Sequence, residues 1–226
     1  MSIRASQSAL CILLAGSAFL SGCAPLLVGS VVTAGVVATD RRTSGTQVED
    51  QAIELKAANA YREHITEGYH ISTNSYNRHV LLTGEVPTPQ DRTRAQEVAR
   101  QIENVRSVRN ELVVGPSSTL SQRSNDLLTS SKVRSRIIGT ENLPSNSLRI
   151  HTERGVVYLR GLVTRREAAL STEVARTTSG VQKVVQYFEF ISEEEAARQQ
   201  AQLQDTTPVK PYSGEHNPAD FDETPQ

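Results

Sequence analysis

Beyond its first 23 residues the 226-residue chain has no cysteine, since Cys11 and Cys23 are the only two. That excludes a disulfide scaffold, cysteine catalysis and thiolate metal sites from the remaining length. Tryptophan is absent and aromatic residues make up 4%, too few for the stacking platforms that single-stranded nucleic acid requires. An excess of charge is also lacking: 24 Lys and Arg stand against 25 Asp and Glu, and a pI near 6.5 argues against a nucleic-acid partner. With 37% apolar residues, the chain lacks the repeated long apolar runs of a polytopic membrane protein.

Chemical motifs are missing as well. His64, His70, His79, His151 and His216 form no HxxH or HExxH arrangement, so no metal site is expected. There is no GxSxG elbow and no SxxK pair. Gly84 and Gly161 follow predicted strands but lack the further glycines of a phosphate loop, which leaves a close backbone turn as the reason for them. The expectation is a protein with no catalytic residues, no metal and no cofactor.

What is present begins at the N-terminus. Arg4 is the only charge before Asp40, and it precedes an apolar run from Ala9 to Leu20, the length of a signal-peptide core. The run ends in Leu20-Ser21-Gly22-Cys23, which resembles the bacterial lipobox. The resemblance implies a signal peptide over 1–22, cleavage before Cys23, and an S-diacylglycerol and an N-acyl group on that residue, a stable anchor. Ala24 stands where enterobacterial lipoproteins retained in the inner membrane carry Asp, so the implied address is the outer membrane, periplasmic face. Residues 23–45 read as a lipidated tether and linker. Ala24 to Ala38 is too short to span a bilayer; it lies against the membrane or serves as a flexible tether, and its β-branched residues and glycines favour the tether. Asp40 to Thr46 reads as a polar linker.

From Val48 to Ile191 the sequence repeats itself. Asp50 and Lys56 align with Asp126 and Lys132, and Val80-Leu81-Leu82-Thr83-Gly84-Glu85-Val86 aligns with Val157-Tyr158-Leu159-Arg160-Gly161-Leu162-Val163. Two domains follow, over 46–114 and 124–191, joined by a linker over 115–123. Each opens with a helix, roughly Val48 to Ile65 and Asn125 to Ile138, the second capped by Ser124 or Asn125. A hairpin turns at Asn77-Arg78 in one unit and at Glu153-Arg154-Gly155 in the other. A second helix and a last strand, Val108 to Val114 or Val184 to Ile191, complete it. The expected fold is α+β: two tandem αββαβ units, each a three-stranded mixed sheet with two helices on one face. Residues 192–226 hold eight acids, two bases and four prolines, the composition of a solvated, disordered tail in which Ser192 to Arg198 extends a helix briefly.

Leu82-Thr83-Gly84-Glu85-Val86 and Leu159-Arg160-Gly161-Leu162-Val163, each followed by a helix and a Val-x-x-Val strand start, resemble the BON domain. With the lipobox, the linker Ala38 to Val48 and the segment Ser124 to Ser135, the likeness over about 23–191 is to dual-BON outer-membrane lipoproteins. It implies a non-enzymatic envelope protein that binds anionic phospholipid, phosphatidylglycerol or cardiolipin, through the first helix of the second domain and supports envelope integrity. Carried over residue by residue, it points to Leu128, Val133 and Ile138.

The charge map agrees in direction. Residues 46–114 hold 8 bases and 10 acids, net −2, whereas residues 118–191 hold 11 bases and 6 acids, net +5. A basic domain beside anionic lipid gains about 1 kcal/mol per well-placed cation; ordinary drift in surface charge is the plain alternative. On a helical wheel Val133, Ile137, Leu127 and Ile138 form the stripe expected to dock on the sheet. Leu128 falls off that stripe beside Lys132 and Arg136, an arrangement suited to a helix dipping into headgroups, or to packing against the first repeat. Lys132, Arg134 and Arg136 are the candidate cations. The competing reading is a periplasmic scaffold or chaperone-like adaptor whose basic face binds an acidic envelope protein.

Overall fold

A computed structural model describes residues 40–204. The expected signal peptide, Cys23, the Ala24 to Ala38 stretch and the end of the tail lie outside the described residues. The first repeat runs α1 (Ser44–His64), β1 (His70–Tyr76), β2 (His79–Val86), α2 (Pro89–Gln101), β3 (Ser107–Asn110) and β4 (Val113–Val114). The second runs α3 (Leu120–Ile138), a 3-10 turn (Ser145–Ser147), β5 (Leu148–Glu153), β6 (Val156–Val163), α4 (Arg165–Arg176) and β7 (Lys183–Phe190), followed by α5 (Glu193–Gln204). None of these helices is long and apolar enough to cross a membrane.

Local chemistry starts each element. Thr43, Thr88, Thr119 and Thr164 each accept a hydrogen bond from a backbone N–H in the first turn of the following helix. Thr119 with Gln122, and Thr164 with Glu167, complete reciprocal capping boxes. Both hairpins turn through paired left-handed residues, Asn77 and Arg78 (φ 52° and 66°) and Arg154 and Gly155 (φ 52° and 73°), the geometry that matches strand twist. The repeated aspartates hold these turns: Asp50 accepts from the N–H groups of Asn77 and Arg78, and Asp126 from those of Arg154 and Gly155, all at 2.8 Å.

In each sheet the middle strand pairs antiparallel with the first strand and parallel with the last, the latter reached by the helical crossover. The last strand of the first sheet is split into β3 and β4, both parallel to β2, with Glu111 and Leu112 between them. Alternation along the middle strands sorts their side chains. Val80, Leu82 and Val86 join Ile53, Ala57, Tyr61, Ala95 and Ala99 under α1 and α2, and Val157, Leu159 and Val163 join Val133, Ile137 and Ala175 under α3 and α4.

The alternate residues, Leu81, Thr83 and Glu85 on β2 and Tyr158 and Arg160 on β6, are buried too. They meet across the two repeats: Thr83 Oγ1 lies 2.8 Å from His151 Nε2, Arg160 donates to the carbonyls of Asn74 and His79, and Leu162 N donates to the Tyr76 hydroxyl at 3.0 Å. The helix-free faces of the two sheets therefore face each other through a polar layer, with helices on the outside.

Several expectations change. α3 begins at Leu120 rather than Asn125, because Thr119 caps it and not Ser124 or Asn125, so the linker over 115–123 is shorter. Asp40-Arg41-Arg42 is no linker. Arg41 forms a bidentate pair with Glu167 at 2.7 and 2.9 Å and donates to Leu162 O, while Arg42 pairs with Asp50 at 2.6 Å and lies 4.2 Å from the Tyr76 ring centre. This short segment thus binds both repeats. The tail opens as the three-turn helix α5, with Ala196 buried and Glu193 3.7 Å from Arg166. Gly84 and Gly161 sit inside strands rather than in turns: a Cβ on Gly84 (φ +109°) would stand 2.0 Å from the carbonyl oxygen of His70, and one on Gly161 2.5 Å from that of Ser147.

Candidate functional site

α3 buries one narrow face. Asp126, Thr129, Val133 and Ile137 point inward, which packs the helix on β5 and α4. Val133, at 0% exposure, is a core residue, so it is withdrawn as a lipid contact. Leu127 and Ile138, expected to dock on the sheet, are 69% and 63% exposed; with Leu128 at 58% and Leu120 at 76% they leave four large apolar side chains in solvent on one helix.

Counting from Val133 at 100° per residue, Leu120, Leu127 and Ile138 cluster at about 120–140° and Leu128 at about 220°, opposite the buried face. Arg123 and Arg134 fall at about 80–100° and Lys132 at about 260°, so cations flank the apolar arc on both sides. Among the described residues Arg123, Lys132 and Arg134 take part in no ion pair or side-chain hydrogen bond, and their charge is available to a partner. Arg136 is different. Its Nη1 donates to Val174 O at 2.9 Å and to Thr178 Oγ1 at 2.8 Å, tying α3 to the end of α4. The net +5 of the second repeat is likewise partly spent inside the molecule: Arg154 pairs with Glu85, and Arg160 lies buried in the polar layer. Burial pulls the Arg160 guanidinium down to about 10, which leaves it charged at neutral pH.

Leu128 does not pack against the first repeat, since more than half of it is in solvent. Leu120, Leu127 and Arg123 belong to the same surface and were missed because a wheel centred on the most apolar arc assigns Leu127 and Ile138 to the core. Asp126 and Thr129 occupy that place instead, Asp126 because its carboxylate is needed at the hairpin turn.

A second group sits where the two sheets meet. His70, Glu85 and Glu153 offer one donor atom each, all within 4.8 Å of one another. The register of the first hairpin puts His70 directly opposite Glu85, and Glu153 arrives from the end of β5. Among the described residues this is the one cluster of ligand-type side chains with spacing suited to a cation.

A model of the BON domain family matches residues 49–116 and 125–191. The outer membrane lipoprotein DolP of Haemophilus influenzae is 35% identical over 184 residues, which cover 80% of this chain and 95% of that protein. The 21 kDa hemolysin of Actinobacillus pleuropneumoniae is 30% identical over 154 residues, 67% of this chain and 79% of its own. Osmotically-inducible protein Y of Escherichia coli is 27% identical over 144 residues, 62% and 72% of the two chains. With both repeats matched, and a relative aligned along nearly its whole length, the chain belongs to the BON domain family as a dual-BON protein of the DolP type.

Proposed function

We propose that this is a non-enzymatic lipoprotein of the outer membrane, held through acylated Cys23 at the periplasmic face, whose second BON domain binds anionic phospholipid through α3 and so supports envelope integrity. The observation that carries the reading is the exposed arc of Leu120, Leu127, Leu128 and Ile138 flanked by Arg123, Lys132 and Arg134. Apolar side chains enter the boundary between headgroups and acyl chains, while cations outside them meet phosphate. The name of the Haemophilus relative supports the address, and the Leu20-Ser21-Gly22-Cys23 motif supports the anchor. Acyl chains on Cys23 hold the protein near one membrane surface and raise the effective concentration of a weakly binding helix there.

Flotation of residues 39–226 with vesicles tests the reading. Vesicles of phosphatidylglycerol or cardiolipin should carry the protein upward, and phosphatidylcholine vesicles should not. Lys132→Glu with Arg134→Glu should weaken binding at least tenfold at low salt, at about 1 kcal/mol per cation before the added repulsion. Leu128→Asp should weaken it at high salt as well, where screening leaves the apolar contact as the main contribution. Equal flotation with phosphatidylcholine, or no effect of these substitutions, would reject the lipid site and favour an acidic envelope protein as the partner of the same face.

A further inference from the structure

We propose that His70, Glu85 and Glu153 form a binding site for a divalent first-row metal ion, for which zinc is the probe, that bridges the two BON domains. The donors come from both repeats and from no linear motif, which is why the histidine spacing in the sequence gives no sign of them. His70 Nδ1 lies 3.5 Å from Glu85 Oε2 and 3.7 Å from Glu153 Oε1. Ligand atoms held at 2.0–2.2 Å in a tetrahedral shell stand roughly 3.3–3.6 Å apart, so two edges of the triangle are already close to ligand spacing.

Glu153 supplies the independent observation. Its side chain is 6% exposed, it faces His70 on one oxygen and His151 Nε2, at 3.7 Å, on the other, and it accepts no hydrogen bond from any described residue. With both oxygens beyond hydrogen-bond distance of any described donor and its side chain lining a cleft, this carboxylate has its lone pairs open to a cation. Glu85, fully buried, is held in place around the site: Ser118 N donates to its Oε2 at 3.0 Å, and Arg154 Nη1 lies 3.3 Å from its Oε1. Such outer contacts orient a ligating carboxylate. Ser118 Oγ, 3.3 Å from His70 Nδ1, must give up that contact when the nitrogen takes a metal. His151 is engaged by the Thr83 hydroxyl and stays outside the shell.

Gly84 makes the approach possible, because any side chain there would strike the His70 backbone and stand 3.3 Å from its ring nitrogen. A cleft of about 200 Å³, whose lining includes His70, Arg123, Asp126, Leu127, His151 and Glu153, reaches His70 and Glu153 from the surface and gives an ion a path. One imidazole and two carboxylates suit zinc, and equally manganese or ferrous iron, better than calcium, which takes oxygen ligands alone. The cleft shares Leu127 and Arg123 with the lipid face, but the metal site does not rest on the lipid reading.

The experiment uses residues 39–226, which contain both domains and no cysteine. After EDTA treatment, zinc chloride is titrated in by calorimetry. One ion should bind per chain at micromolar or tighter Kd, and the melting temperature should rise by roughly 5–10 °C at a hundredfold excess over Kd. His70→Gln and Glu153→Gln, both close in shape to the original residues, should each weaken binding at least tenfold. X-ray absorption at the zinc edge of the unsubstituted protein needs no variant to fold, and it should report one imidazole with carboxylate oxygens. Absence of stoichiometric binding, binding unchanged in both variants, or a shell of imidazoles alone, as surface histidines would give, overturns the proposal.

Discussion

Asp50 and Asp126 are the same residue of the repeat and do the same work, each accepting two backbone N–H groups at a hairpin turn. Asp50 carries more. It also accepts from the Ser75 hydroxyl at 2.6 Å and pairs with Arg42, both within the buried interior. Removing either carboxylate strands buried donors, at about 1–3 kcal/mol, and removing Asp50 leaves Arg42 with Asp40 as its remaining carboxylate. Asp126→Ala should therefore cost about 2 kcal/mol in urea denaturation and Asp50→Ala at least 1 kcal/mol more. Equal losses would show that the Arg42 pair and the Ser75 hydrogen bond together contribute nothing.

Among the elements, α3 has its length set by a capping box and its working face by what lies under it. Because Asp126 and Thr129 take inward positions, four apolar residues are turned outward. α5 runs past the brief helix expected over Ser192 to Arg198, and it docks: its Ala196 is 6% exposed and Glu193 lies near Arg166 on α4. An exposed ion pair contributes little, and a buried alanine side chain on the order of 1 kcal/mol. Truncation after Ile191 should therefore leave both BON domains folded while lowering the melting temperature by roughly 2–4 °C. No change at all would mean that α5 does not dock, and global unfolding would mean that it belongs to the core.

At the scale of the whole molecule, the sheet-to-sheet layer makes the two repeats one cooperative body. Separating them would expose Arg160, Tyr76, Tyr158 and Glu85 together, so isolated repeats are poor tests of either half. The layer and the cores beneath it also set an alkaline limit. Burial pushes the phenols of Tyr61, Tyr76 and Tyr158 up to about 12, against an ordinary value of 10. The folded state keeps protons that the unfolded chain gives up, so this contribution is complete below about pH 10 and is lost as pH rises from 10 to 12. Denaturation midpoints should be flat across pH 8–9 and fall steeply above 10. Tyr76→Phe should reduce that slope, at the expense of the hydrogen bond from Leu162 N. An unchanged slope in this variant would show that Tyr76 ionises as readily folded as unfolded.

The chain's own order determined the αββαβ repeat, the hairpin turns and the family, because these depend on local pattern: apolar alternation, turn residues, a recurring Asp and Gly-x-Val. It also determined that the second repeat is the more basic one. Local pattern does not say which of two faces of a helix meets a sheet when polar residues such as Asp126 and Thr129 occupy the inward arc, so the exposed face of α3 was read one step out of place. Nor does it pair residues from different repeats. Arg41 with Glu167, Arg160 with the carbonyls of Asn74 and His79, and the arrival of Glu153 beside the His70–Glu85 pair were decided by the packing of the two repeats on each other. The polar residues that read as ordinary surface along the chain are the ones this packing buries.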